Sequence, residues 1–110
     1  MDISFADKKL GKIINSEKEL QKKYGTNARY IIRRMAVLKA APSLAHVSHR
    51  PPERRHELEG QRKGTYAVDI NHPFRLVFEP NHDPVPLKED KGIDLNKVTA
   101  ITILEVEDYH

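Results

Sequence analysis

HELEGQRKGTYAVDINHPFRLVFEP, residues 56–80, is where the chain changes from a helical to an extended pattern. Segments with β-type composition run from His56 to Glu59, from Thr65 to Ile70 (TYAVDI) and from Phe74 to Glu79 (FRLVFE). Gly60 to Gly64 and Asn71 to Pro73 have the composition of turns between neighbouring strands. Downstream, Val98 to Val106 (VTAITILEV) supplies another strand, and Ile3 and Phe5 begin the chain with one more.

Upstream of this stretch the period is helical. Leu10, Ile13 and Ile14 recur at i, i+3 and i+4, and Leu20 and Tyr24 continue the stripe, with mostly Lys and Glu between them. Ser16 followed three residues later by Glu19 is a capping-box pattern, so residues 7–24 form either one bent helix or two short ones, ended by Gly25. Thr26 or Asn27 is placed to cap a further helix reaching Ala40, with Ala28, Ile31, Ile32, Met35 and Leu38 on one face. Residues 42–54, with three prolines, read as an irregular connector, and residues 80–97, again with three, as a long surface loop. The expected architecture is α+β: an N-terminal strand and a helical hairpin packed on a small antiparallel sheet. The other sheet face is left open to a ligand.

A length of 110 residues fits a single domain, 1–110. With 38% hydrophobic and 32% charged residues, the composition is that of a globular chain rather than a disordered one. The longest apolar run is Met35 to Leu38, and the opening MDISFADKK has no signal-like apolar core, so the expected location is the cytoplasm, with no membrane partner. The absence of cysteine excludes disulfides and thiolate chemistry. The net charge of +3 conceals an asymmetry: residues 1–63 hold 15 Lys/Arg against 7 Asp/Glu, and residues 64–110 hold 4 against 9. The basic half is either a solvated helical surface or a footprint for a polyanion or an acidic partner.

Several chemistries are excluded by their motifs. There is no GxxxxGK[ST] or GxGxxG element. His56 and Glu57 begin like HExxH, but Gly60 stands where the second histidine ligand belongs. His46 and His49 have ligand spacing without accompanying carboxylates. No metal and no cofactor are expected.

What the chain does offer is the set of groups needed to cut RNA without a metal. A base must take the 2′-hydroxyl proton, a cation must stabilise the phosphorane-like transition state, and an acid must protonate the leaving 5′-oxygen. His56, Arg62, Arg75, Asp108, Tyr109 and His110 contain these types. Each also has a plainer reading. His56 is placed to satisfy a strand-edge hydrogen bond, Arg75 to pair with Asp69 across the sheet, and the last residues to fray. Strand alternation separates Arg55 and Glu57 from the face of His56 and Leu58.

Residues 56–80, with the EDYH end, resemble the HigB-like branch of the RelE/ParE toxin superfamily, whose hairpin reads His-x-Leu-x-Gly-x-Arg-x-Gly and is followed by an Arg-containing strand. The similarity extends over nearly the whole chain. It implies a RelE-type fold, ribosome-dependent cleavage of messenger RNA, and a helix-turn-helix, HigA-like antitoxin as partner. By position, it implies catalytic roles for His56, Arg75, Asp108, Tyr109 and His110, with Arg54, Arg55, Arg62 and Lys63 contacting RNA. Glu59 departs from the pattern, because such toxins often carry a lysine there. The carboxylate removes a cation from the phosphate, a loss that Arg62 or Lys63 makes good or that leaves catalysis weakened. Two further readings follow: a non-enzymatic, ParE-like inhibitor of DNA gyrase, and a module that only binds RNA or its antitoxin.

Overall fold

The computed structural model describes residues 1–109. The strands are β1 (Asp2–Phe5), β2 (His56–Glu57), β3 (Tyr66–Asn71), β4 (Phe74–Pro80) and β5 (Ala100–Asp108), and the helices are α1 (Lys8–Ile14), α2 (Glu17–Tyr24) and α3 (Ala28–Ala40). They form a five-stranded sheet of order β1-β5-β4-β3-β2, with the helices on one face.

The helical boundaries follow side-chain capping. Asp7 accepts the Lys9 and Leu10 N–H groups and starts α1. Ser16 accepts the Glu19 N–H at 3.2 Å, so residues 7–24 resolve into two short helices rather than one bent one. For α3 the expectation of a Thr26 or Asn27 side-chain cap is corrected. Asn27 Oδ1 instead accepts from Asn71 Nδ2 at 3.2 Å, tying the start of α3 to the end of β3. The predicted apolar face of α3 also changes at one position. Ile32 is 39% exposed, whereas Arg34 is buried among Ala28, Ile31, Met35 and Leu38.

The sheet is mixed rather than wholly antiparallel, because β1 runs parallel to β5 from Asp2↔Ala100 to Phe5↔Ile103. The reason lies where the two strands begin. The Met1 ammonium donates to the Leu38, Lys39 and Ala41 carbonyls at the C-terminal end of α3, where the helix dipole favours a cation. Leu44 N–H, just beyond that helix, donates to the Val98 carbonyl ahead of β5. Both strands therefore start at the same end of the sheet.

Strand alternation divides the residues between two faces. Val68, Ile70, Leu76, Phe78, Ile101 and Ile103 pack against Leu20, Ile31, Met35 and Leu38 in the main core. Truncation of Phe78, which is fully buried, should cost roughly 3–5 kcal/mol. On the opposite face, Leu58, Ala67 and Val77 form a small apolar cluster with Leu104 against it, beside the charged row of Asp69, Arg75 and Glu107. The loop after β4 is held back by His82, whose Nε2 accepts from the Thr99 and Ala100 N–H groups.

Candidate functional site

On the face away from the helices, the register of β3, β4 and β5 places Asp69, Arg75 and Glu107 in one row. Cross-strand partners share a face, so Arg75 stands between two carboxylates. It pairs with Glu107, Nε to Oε2 at 2.6 Å. Asp69 is taken instead by Arg54, whose Nε and Nη2 donate to its two oxygens at 2.7 and 2.9 Å. The second Glu107 oxygen accepts from Arg62 Nη1 at 2.7 Å, so one carboxylate bridges an arginine of the β2–β3 turn and an arginine of β4. That turn needs glycine at its ends, since Gly60 and Gly64 have φ of +68° and +96°.

Tyr109 closes the cluster. The Arg75 guanidinium carbon lies 4.3 Å from the centre of its ring, a cation–π stack. Tyr109 N–H donates to the Pro73 carbonyl, and its ring meets that of His72 edge-on. Arg54 occupies the left-handed backbone region at φ +47°, a strained conformation for a residue with a Cβ. The fork to Asp69 helps to hold it there.

Electrostatics favour the charged forms of Glu107 and Arg54. Burial pushes the Glu107 carboxyl up, but the hydrogen bonds from Arg75 and Arg62 outweigh it and hold the group below its usual 4.5. The hydrogen bond to Asp69 raises Arg54, against an opposing effect of burial, and Tyr109 adds to the rise. Three arginines face two carboxylates, which leaves one net positive charge among them.

His56 lies on the same face, in register with Ala67 at the edge of the sheet. Its Nδ1 is 2.8 Å from the Arg54 carbonyl, which can only accept, so Nδ1 carries the proton. In the neutral ring this leaves Nε2 as the basic nitrogen. Strand spacing puts the His56 and Arg75 backbones roughly 12 Å apart.

The remaining predicted residues scatter. Arg55 Nε donates to the Val47 carbonyl and so fastens the connector. Glu57 is used on the helix side, where its carboxylate accepts from Gly64 N–H and from the Tyr66 hydroxyl. Lys63 lines a hollow of about 420 Å³ with Glu57, Gly64 and residues 90–93, and Arg75, Glu107 and Tyr109 do not line that hollow. Glu59 borders a neighbouring depression, also with Lys63. Asp108 is exposed at the end of β5, in register with Phe74, and alternation turns it away from Glu107. His110 lies outside the described residues. Among the described residues, no group of three His, Asp or Glu side chains is placed to hold a metal ion.

Glu107 and the true partner of Asp69 are the features that sequence reasoning missed. The row formed by residues 69, 75 and 107 becomes visible only once FRLVFE is aligned with AITILEVED. A register shift between Val77 and Phe78 hides that alignment from a simple hairpin count.

With a helical layer on one face of a mixed sheet, this chain shares its fold with solved structures of YoeB and YoeB/ParE toxins. The YoeB/ParE toxin from Agrobacterium tumefaciens superposes with a TM-score of 0.59 at 10% identity, covering 100% of both chains. The YoeB–YefM complex from Staphylococcus aureus gives a TM-score of 0.56 at 16% identity, over 100% of this chain and 97% of that one. A heterotetrameric YoeB–YefM toxin–antitoxin complex from the same organism gives 0.54 at 16%, with the same coverage. No protein-family model matches the chain, and no curated protein matches it in sequence.

Proposed function

We propose that this chain is the toxin of a type II toxin–antitoxin system and that it cleaves messenger RNA on the ribosome. The observation that carries this reading is the meeting of Arg54, Arg62, Arg75 and Tyr109 on a sheet face that no helix covers. The arginines supply charge for a scissile phosphate, and the Tyr109 ring offers a surface on which a base can stack. His56 Nε2 takes the 2′-hydroxyl proton. The 2′-oxygen then bonds to phosphorus as the bond to the 5′-oxygen breaks, leaving a 2′,3′-cyclic phosphate. The departing 5′-oxygen receives its proton from the chain end, where Tyr109 and His110 stand. Arg62 supplies the cation that Glu59 does not.

So few groups orient a flexible substrate poorly, which is the physical reason to assign the ribosome as the positioning partner. The YefM named with two of the similar structures supports an antitoxin partner; a helix-turn-helix, HigA-like protein is the one proposed. Among the described residues, no helix is long and apolar enough to cross a membrane; the cytoplasm is the proposed place of action. The test is cleavage of a translated message by the purified protein, mapped by primer extension. Cuts that need ribosomes and disappear in His56→Ala support the reading; no cleavage together with no ribosome binding removes it. The YoeB/ParE description of one similar structure favours a second reading, inhibition of DNA gyrase, for which a supercoiling assay is the direct check.

A further inference from the structure

We propose that Glu107 is a built-in stand-in for the RNA phosphate, occupying the Arg62–Arg75 site until a phosphodiester displaces it. This rests on reading the open face as a phosphodiester site and adds how that site is kept closed to weak anions.

The geometry is that of a bound anion. The carboxylate lies between two guanidinium groups from different elements and gives one oxygen to each, at 2.7 and 2.6 Å. A phosphodiester carries two non-bridging oxygens, each able to accept from one of these guanidinium groups. Glu107 is not the only support of the arginines. Arg75 is independently stacked on Tyr109, and the backbone at Arg62 is fixed by its carbonyl, which accepts from both the Thr65 N–H and hydroxyl. The displaced carboxylate also has somewhere to go. Its side chain is 20% exposed and stands one residue before the end of β5, so rotation carries it into water.

Displacement exchanges one anion for another, so the net gain from phosphate alone is small. A ligand that also brings a base to Tyr109 gains more. The site therefore favours a nucleotide strand over free anions, although three arginines by themselves would attract either.

The experiment measures binding, not cleavage, and needs no ribosome, so its failure is distinguishable from failure of the nuclease reading. A fluorescent 2′-O-methyl RNA oligonucleotide, which lacks the attacking hydroxyl, is titrated by anisotropy into wild type, Glu107→Gln and Glu105→Gln. Glu105 is the charge control: it is exposed on the same strand and has no ion pair among the described residues. Glu107→Gln is expected to bind about tenfold tighter, with the slope of log K against log salt steeper by about 0.7. Glu105→Gln is expected to change affinity no more than about twofold. Equal or weaker binding by Glu107→Gln, an equal gain in Glu105→Gln, or no binding by any form overturns the proposal. Wild type gives an independent reading that requires no variant to fold. On saturation with the oligonucleotide, the Arg75 Nε–H resonance must shift as its bond to Glu107 is lost; a stationary resonance in the bound protein overturns the proposal.

Discussion

Arg75 and Tyr109 are stacked, with the guanidinium carbon 4.3 Å from the ring centre, and this contact joins the last described residue to the middle of the sheet. A residue so near the end of a chain is by default frayed. Here the ring is held by Arg75 on one side and by the edge of His72 on another, while its N–H is held by the Pro73 carbonyl.

Tyr109→Ala should therefore cost both stability and function. Losing a partly shielded cation–π stack removes about 1 kcal/mol, which lowers the melting temperature by roughly 4 °C in a domain of this size. Under the nuclease reading proposed above, ribosome-dependent cleavage should fall by about a hundredfold, the scale of one misplaced proton-transfer group. Tyr109→Phe keeps the stacked ring and should melt close to wild type, so any loss of cleavage in it reports on the hydroxyl, including its contact with Arg54. A normal melting temperature for the alanine form, measured by circular dichroism, would show that the stack holds nothing in place.

Arg34 makes a second prediction, about how the site is supported from below. It is 7% exposed, and its guanidinium donates to the Asp69 carbonyl at 2.6 Å and to the Ile70 carbonyl at 3.4 Å. These carbonyls lie at the register shift between Asp69 and Asn71, where the sheet ladder is interrupted. Arg34→Met keeps the apolar stem but strands both acceptors, and should destabilise the fold by about 2 kcal/mol. Asp69 would lose its fixed position, and with it the anchor for Arg54. Denaturant titration measures the stability, and an unchanged midpoint would refute the assignment.

Burial pushes the Tyr66 phenol up to about 12, and the neighbouring Glu57 charge adds to the rise. The phenol ionises near 10 once unfolded, so the folded state retains a proton that the unfolded state releases. The resulting stability is whole below pH 10 and is lost as pH rises towards 12. Wild type should lose stability across that window, and Tyr66→Phe should lose markedly less in parallel alkaline melts. Equal slopes would place the phenol in water.

The period change at residue 56 and the turn residues after it located β2 to β4, and the apolar runs ISF and VTAITILEV located β1 and β5, because alternating apolar residues are local signals. β2 is two residues shorter than expected, and β5 runs from Ala100 on to Asp108. The direction of β1 was not legible. It depends on where the Met1 ammonium meets the end of α3, a contact spanning about 40 residues. Arg34 was hidden for a related reason: a charge on an apolar stripe reads as an interruption until its carbonyl partners, more than 30 residues away, are known. Residue types singled out Arg62, Arg75 and Tyr109, and the family resemblance added Arg54; the structure brings these four together. A reading that looks for groups able to act on RNA passes over their counter-ion. Glu107 was overlooked on that account.

Glu107 also sets how the fold should respond to acid. Its carboxyl is held below the usual 4.5 by Arg75 and Arg62, so the folded state favours the ionised form more than the unfolded state does. The stability from this difference is present above pH 4.5 and is lost as pH falls through the lower folded value. With Glu107 and Arg75 both largely shielded, at 20% and 14% exposed, and Arg62 more open at 39%, about 1 kcal/mol is a reasonable size after solvent screening. Glu107→Gln should thus be less stable than wild type by that amount at pH 7, and the gap should close as pH falls below 4.5 and through the lower folded value, where the wild-type carboxyl takes up its proton. Melting curves over a series of falling pH values make the comparison. A gap that stays undiminished down the series would mean that the side chain contributes through shape or neutral hydrogen bonding, and that its charge has no part in holding the arginines.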